Sequence, residues 1–94
     1  MNRIFHALRD PSRREILRLL RRRDMSAGEI ADCFPLAKST LSGHFNVLRD
    51  AGLIVSERKG TTIVYSLNLS AIEETLEALM QLLDSGQRPK EKRR

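Results

Sequence analysis

Between Pro11 and Gly52 the apolar residues recur every three or four positions, and from Leu53 to Leu67 they alternate instead. The first spacing belongs to helices that bury one stripe, the second to strands that bury one face. A short chain that switches from the first period to the second has to pack several small helices and then a β-ribbon around one core. Local signals divide the helical part. Ile4, Phe5 and Leu8 stand at helical spacing near the start. Asp10-Pro11 then supplies an N-cap and a proline suited to the first helical position. From Pro11 to Arg22, Ile16, Leu17, Leu19 and Leu20 form one face. Arg13, Arg14, Arg18 and Arg21 to Arg23 fill much of the remainder and are expected in solvent, some of them near a phosphate.

Ser26-Ala27-Gly28-Glu29 reads as a capping box, with the serine hydroxyl on the Glu29 amide and the Glu29 carboxylate on the serine amide. The helix it opens, with Ile30, Ala31 and Phe34 on its buried side, is expected to stop at Pro35. A second helix follows from Lys38 to Asp50 with Leu41, Phe45 and Leu48 in one stripe, and Gly52 suits the left-handed residue that ends it. Two helices across a tight turn form a helix-turn-helix. The alternating segments Leu53 to Arg58 and Thr61 to Leu67 flank Lys59-Gly60, which predicts a hairpin with a cationic tip, a wing. Ser70-Ala71-Ile72-Glu73 reads as a second capping box, opening a last helix to about Asp84. The expected fold is mainly α with a β-hairpin, in the order α-α-α-α-β-β-α: a winged helix-turn-helix over residues 1–85. Residues 86–94 are expected to be a basic, disordered tail.

Ninety-four residues suit one domain and leave no room for a separate catalytic module. So small a core also favours burying further apolar surface in a symmetric homodimer. Lysine and arginine number 17 against 12 acids, a net charge of +5 that fits a polyanionic partner. The single cysteine, Cys33, excludes an internal disulfide and fits a reducing, cytoplasmic setting. No apolar run reaches the roughly 20 residues of a membrane span. Four scattered aromatics make no base-stacking platform, which argues against single-stranded nucleic acid. No nucleophile with its base, no paired carboxylates and no phosphate-cradling glycine loop is visible, so an enzyme is not expected.

The chemistry concentrates on the helix from Lys38. With Leu41, Phe45 and Leu48 turned inward, Lys38, Ser39, Ser42, Gly43 and Asn46 fall on the exposed side. Short hydroxyls and a glycine let a helix axis approach base edges, asparagine pairs with adenine and lysine with guanine. Ser39, Thr40 and Ser42 taken singly are equally ordinary surface or capping hydroxyls. His44 reads either as a structural hydrogen bonder or as a phosphate contact. Arg58 and Lys59 serve either to protect a sheet edge or to contact DNA. The DNA-binding set is thus Lys38, Ser39, Thr40, Ser42, Gly43, His44, Asn46, Arg58 and Lys59, with double-stranded DNA as partner. The rival reading is a winged-helix protein-interaction module.

Three stretches, Asp10 to Leu17, Ser39 to Ile54, and Arg58-Lys59-Gly60 through Leu67, resemble the ArsR/SmtB family of bacterial repressors. The resemblance covers about Ile4 to Leu83. It implies a winged-helix homodimer, joined through its first and last helices, that represses transcription at a palindromic operator. Ile4, Phe5 and Leu8 with Ile72, Leu76, Leu79 and Leu83 are the matching apolar sets. Many members sense metals through paired cysteines in the first motif helix or through His and acidic ligands on the last. Here Ala31 stands where a second thiol would be and the last helix has no His, so no metal or other cofactor is expected. Cys33 is expected as a small core residue, with thiol sensing as an alternative. Ala37 stands where the family often has Ser or Thr as the cap of the recognition helix. Among members without metal ligands the chain is similar to the SdpR-type autorepressors, which implies relief by a membrane-bound immunity or anti-repressor partner.

Overall fold

The computed structural model describes residues 2–84. Five helices and a three-stranded sheet follow in the order α1 (Asn2–Leu8), α2 (Pro11–Arg22), β1 (Met25–Ser26), α3 (Ala27–Ala31), α4 (Lys38–Asp50), β2 (Ile54–Lys59), β3 (Thr62–Leu67) and α5 (Leu69–Asp84). The expected basic tail lies outside the described residues. Asp10 caps α2 as its sequence demands, accepting from the amides of Ser12 at 2.7 Å and Arg13 at 3.1 Å, with Pro11 in the first turn. The Ser26–Glu29 capping box is formed in both directions, at 3.1 Å and 2.9 Å.

One core holds the helices on the ribbon. Ala7, Ile16, Leu20, Met25, Ile30, Leu41, Phe45, Leu48, Leu53, Ile54 and Tyr65 are all buried in it. Phe45 of α4 stacks on Tyr65 of β3 with ring centroids 4.4 Å apart, which seats the helix on the sheet. At the end of α4, Gly52 takes φ +77°. Its amide bonds to the Arg49 carbonyl and that of Leu53 to the Leu48 carbonyl, at 2.9 and 3.0 Å. This Schellman pair, with Leu48 and Leu53 both buried, sets the direction in which the chain leaves α4 to start the wing.

The sheet order is β1-β3-β2, antiparallel throughout. Strand β1 has two residues, too short to leave a period in the sequence; it pairs Met25 with Tyr65 and Ser26 with Val64. The hairpin lies one residue downstream of the expected position. Lys59 pairs with Thr62, so the turn is Gly60-Thr61, and Gly60 carries the positive φ of +64° that a tight two-residue turn requires.

Four expectations are corrected. The cap of α5 is Asn68, whose Oδ1 accepts from the Ala71 amide at 3.2 Å. The helix starts directly after β3, so Ser70 lies inside its first turn and no Ser70–Glu73 box forms. Helix α3 ends at Ala31, well before Pro35, because the amides of Cys33 and Phe34 fold back on the carbonyls of Ile30 and Ala31 at 2.9 and 3.2 Å. Cys33 therefore sits in a turn and is exposed, not a core residue; its thiol lies 3.5 Å from the Glu29 carbonyl. Arg13 is half-buried and not a free solvent arginine; Arg14 is exposed as expected but, like Arg13, is held by backbone carbonyls. Arg13 donates to the carbonyls of Ala7 at 2.8 Å and His6 at 3.0 Å, and Arg14 to those of Leu8 and Arg9 at 2.7 and 3.1 Å. Both satisfy the carbonyls left unpaired at the end of α1.

Helix α5 lies at the edge of this core, touching it through Ile72, and none of its residues is fully buried. Ala71, Ile72, Thr75 and Leu79 are half-buried, while Leu69, Leu76, Met80, Leu82 and Leu83 are exposed. Among the described residues, no helix is long and apolar enough to cross a membrane.

Candidate nucleic-acid interface

Helix α4 packs one stripe, Leu41, Phe45 and Leu48, into the core. Everything else about its surface follows from that orientation. Ser39, Gly43 and Asn46 lie opposite the buried stripe and are exposed, with Lys38 and Ser42 exposed on the flank that faces α3. The structure thus brings Lys38, Ser39, Ser42, Gly43 and Asn46 onto one accessible surface. At Gly43 a β-carbon would meet nothing within 4 Å, so the outer surface of the helix there is bare backbone. The N-cap, Ala37, makes no side-chain hydrogen bond, so the first turn of α4 keeps free amides at the end nearest Lys38.

Thr40 is exposed on the other flank, the one shared with His44. His44 is turned inward, with its side chain 14% exposed. Its Nδ1 lies 3.2 Å from Arg13 Nη1 and its Nε2 3.9 Å from Asp10 Oδ1. Arginine can only donate, so Nδ1 accepts and the neutral imidazole carries its proton on Nε2, toward Asp10. In this position His44 ties α4 to the N-cap of α2.

Desolvation pushes the Asp10 carboxyl up, but the Arg13 and Ser12 amides, helped by the His44 Nε2–H and the Arg13 guanidinium nearby, together outweigh it. The net result is a carboxyl below its ordinary value. The carboxylate is the form that holds this corner together.

On the wing, residues paired across antiparallel strands share a face. Ile54, Ser56 and Arg58 therefore lie on the face of Leu67, Tyr65 and Ile63, the side against which α4 packs, whereas Lys59 points to the other face beside Thr62. Arg58 and Lys59 are both exposed near the hairpin tip but serve opposite surfaces. One residue was not anticipated. Arg49 donates from Nη2 to Asn46 Oδ1 at 3.1 Å and from Nη1 to Ser56 Oγ at 3.4 Å, linking the exposed side of α4 to the wing. Its sequence position beside Leu48 marks it only as polar; the link depends on how the Schellman turn returns β2 alongside the helix.

A helix-turn-helix domain family matches residues 3–57 of this chain. The chain is 41% identical over 86 residues to the transcriptional repressor SdpR of Bacillus subtilis, covering 92% of this chain and 96% of that protein. It is 38% identical over 80 residues to an uncharacterised HTH-type transcriptional regulator of Mycobacterium tuberculosis, covering 84% and 70%. Among solved structures, an ArsR-like transcriptional regulator from Rhodococcus sp. RHA1 superposes with a TM-score of 0.78 at 32% identity, over 86% of this chain and 76% of that one. HlyU from Vibrio cholerae superposes with a TM-score of 0.70 at 29% identity, over 85% and 87%. These likenesses join the observed helix-turn-helix and wing to one group of proteins: the chain belongs to the ArsR family of winged helix-turn-helix, DNA-binding transcriptional regulators.

Proposed function

We propose that the protein is a repressor that binds an inverted-repeat operator as a homodimer and in this way controls transcription, its own included. The observation that carries this reading is the make-up of the exposed side of α4, where Ser39, Ser42, Gly43 and Asn46 replace the long charged side chains usual on a surface helix. In this reading Ser39, Ser42 and Asn46 meet base edges, Gly43 sets the distance of approach, and Lys38 meets phosphate or guanine. Arg58 and Lys59 take the backbone or minor groove beside them. Thr40 contributes from the flank, and His44 supports the helix from behind.

The dimer is supported by α5. A two-fold pairing would cover Leu76, Leu79, Met80 and Leu83 together with Phe5 of α1, which is 54% exposed. Ile4, Leu8 and Ile72 already pack on the protomer's own core and would brace that interface from beneath. Two recognition helices would then enter successive major grooves roughly 34 Å apart. Similarity to SdpR, named a transcriptional repressor, supports the sign of the effect.

The test is a fluorescence anisotropy titration against the protein's own upstream DNA and a scrambled duplex at physiological salt, with sedimentation of the complex. Selective binding of one dimer per site is expected. Equal, strongly salt-dependent binding to both duplexes, or a monomer in the complex, would overturn the reading.

A further inference from the structure

One cleft at the edge of the core lies away from the DNA-facing surface. Where β3 hands over to α5, Leu67, Leu69 and Ile72 face Leu17, Arg18 and Arg21 of α2 across an open groove of about 270 Å³. Its walls are aliphatic on both sides. Its rim is cationic: Arg18 and Arg21, with Arg22, also line a second depression of about 320 Å³. Glu15 holds Arg18 at 2.8 Å, but among the described residues neither Arg21 nor Arg22 has an acid within ion-pair distance. Positive charge is therefore in surplus at the rim of an apolar groove.

That combination selects a ligand class. A free phosphate would leave the aliphatic walls wet, and a hydrocarbon would leave the guanidinium charge unused. A small carboxylate with an apolar body satisfies both, its head in a guanidinium fork and its body displacing water. At roughly 30 Å³ per water the groove holds about nine of them, which suits a body of on the order of eight carbons. We propose that the cleft between α2 and the first turn of α5 is an effector site for a small amphipathic carboxylate.

The position gives such a ligand leverage. Apart from the Asn68 cap, the first turn is where α5 meets the body of the protomer, and the rest of α5 presents the exposed apolar face. A ligand wedged between Leu17 and Ile72 changes the angle at which α5 leaves the sheet, and with it the spacing of two α4 helices in a dimer. Binding depends on the protomer alone; the regulatory consequence rests on the dimeric reading above. A small molecule would act beside, or in place of, the anti-repressor protein that the family resemblance implies.

The experiment titrates ¹⁵N-labelled full chain with octanoate, and with octanol as a neutral body of the same length. Octanoate should bind saturably, with amide shifts centred on Leu17, Leu67, Leu69 and Ile72, and about tenfold more tightly than octanol, as one charge-assisted contact provides. Arg21→Gln should remove most of that advantage and leave octanol unchanged. Equal affinity for the two probes, indifference to Arg21→Gln, or shifts spread along Leu76 to Leu83 would overturn the site. So would dissociation of the dimer by octanoate in sedimentation, which would mean that a second copy fills the cleft. In parallel, octanoate should change operator affinity by about fivefold or more in the wild type only. Unchanged affinity would remove the regulatory half alone, and operator binding without octanoate shows whether the dimeric repressor reading stands on its own.

Discussion

Arg49 reaches from the fourth turn of α4 back to Asn46, where its Nη2 donates to Oδ1 at 3.1 Å while Nη1 stays 3.4 Å from Ser56 on the wing. The contact fixes which way the asparagine amide points. With Oδ1 held on the Arg49 side, the Nδ2 donor is turned away from it, and Oδ1 keeps a second lone pair for another donor. Adenine asks for that pairing of donor and acceptor, so in the proposed complex Asn46 would be oriented before DNA arrives.

This makes Asn46 and Arg49 a coupled pair. Asn46→Ala should reduce the preference for operator over scrambled DNA. Arg49→Ala should reduce it too, by about fivefold, the scale of one hydrogen bond. In the double variant the two losses should not add, because an unheld asparagine has already lost part of its advantage. Strict additivity in anisotropy titrations would show that the residues act independently. A loss of one unit of salt slope from Arg49→Ala with preference intact would make Arg49 a plain phosphate contact.

The sequence made the helices, their Asp10 and Ser26 caps, the Gly52 terminus and the wing legible, because each rests on local spacing or on a side chain bonding its own backbone. The same logic placed Lys38, Ser39, Ser42, Gly43 and Asn46 on one surface, since one buried stripe determines what lies opposite. Features made by residues distant in sequence were not legible. Arg13 reaches the end of α1 and His44 on α4; Arg49 reaches the wing; the Leu17–Ile72 cleft needs α2 and α5 side by side. The Ser70 and Cys33 expectations failed because a cap set two residues earlier, and a tightened turn ahead of Pro35, displaced the local signal.

Acid should loosen the α2 corner. The Asp10 carboxyl lies below its ordinary value, so the folded state favours the carboxylate. Its stabilising contribution is complete above the unfolded value of about 3.8 and is lost as pH falls through the lower folded value. Asparagine is an equally good N-cap but carries no charge. Asp10→Asn should therefore lower Tm slightly at neutral pH, by the equivalent of less than about 1 kcal/mol, and the gap to wild type should close below about pH 4. A gap that stays constant into strong acid in thermal denaturation would contradict this account of the Arg13–Asp10–His44 corner.

The exposed face of α5 allows folding and assembly to be separated. Leu76 is 58% exposed in the protomer, so Leu76→Glu removes little intrachain packing while placing a charge in the proposed interface. The variant should keep its helical circular dichroism, sediment as a monomer at micromolar concentration, and bind operator at least about tenfold more weakly for want of a second half-site contact. A variant that stays dimeric with unchanged operator affinity would place the interface elsewhere.

Gly43 sets stability against recognition. It stands mid-helix, where glycine costs about 1 kcal/mol relative to alanine, and a β-carbon there meets nothing within 4 Å. On stability alone Gly43→Ala should raise Tm by several degrees. The added methyl, however, projects from the exposed side of α4, between Ser39 and Asn46, the side proposed to approach base edges. Operator affinity should fall by about tenfold while non-specific binding, carried by lysine and arginine on phosphate, holds steady. Thermal denaturation and paired titrations read the two effects separately. If Gly43→Ala raises Tm and leaves operator affinity intact, the groove contact lies along another edge of α4, and Lys38 with Ser42 becomes the surface to test.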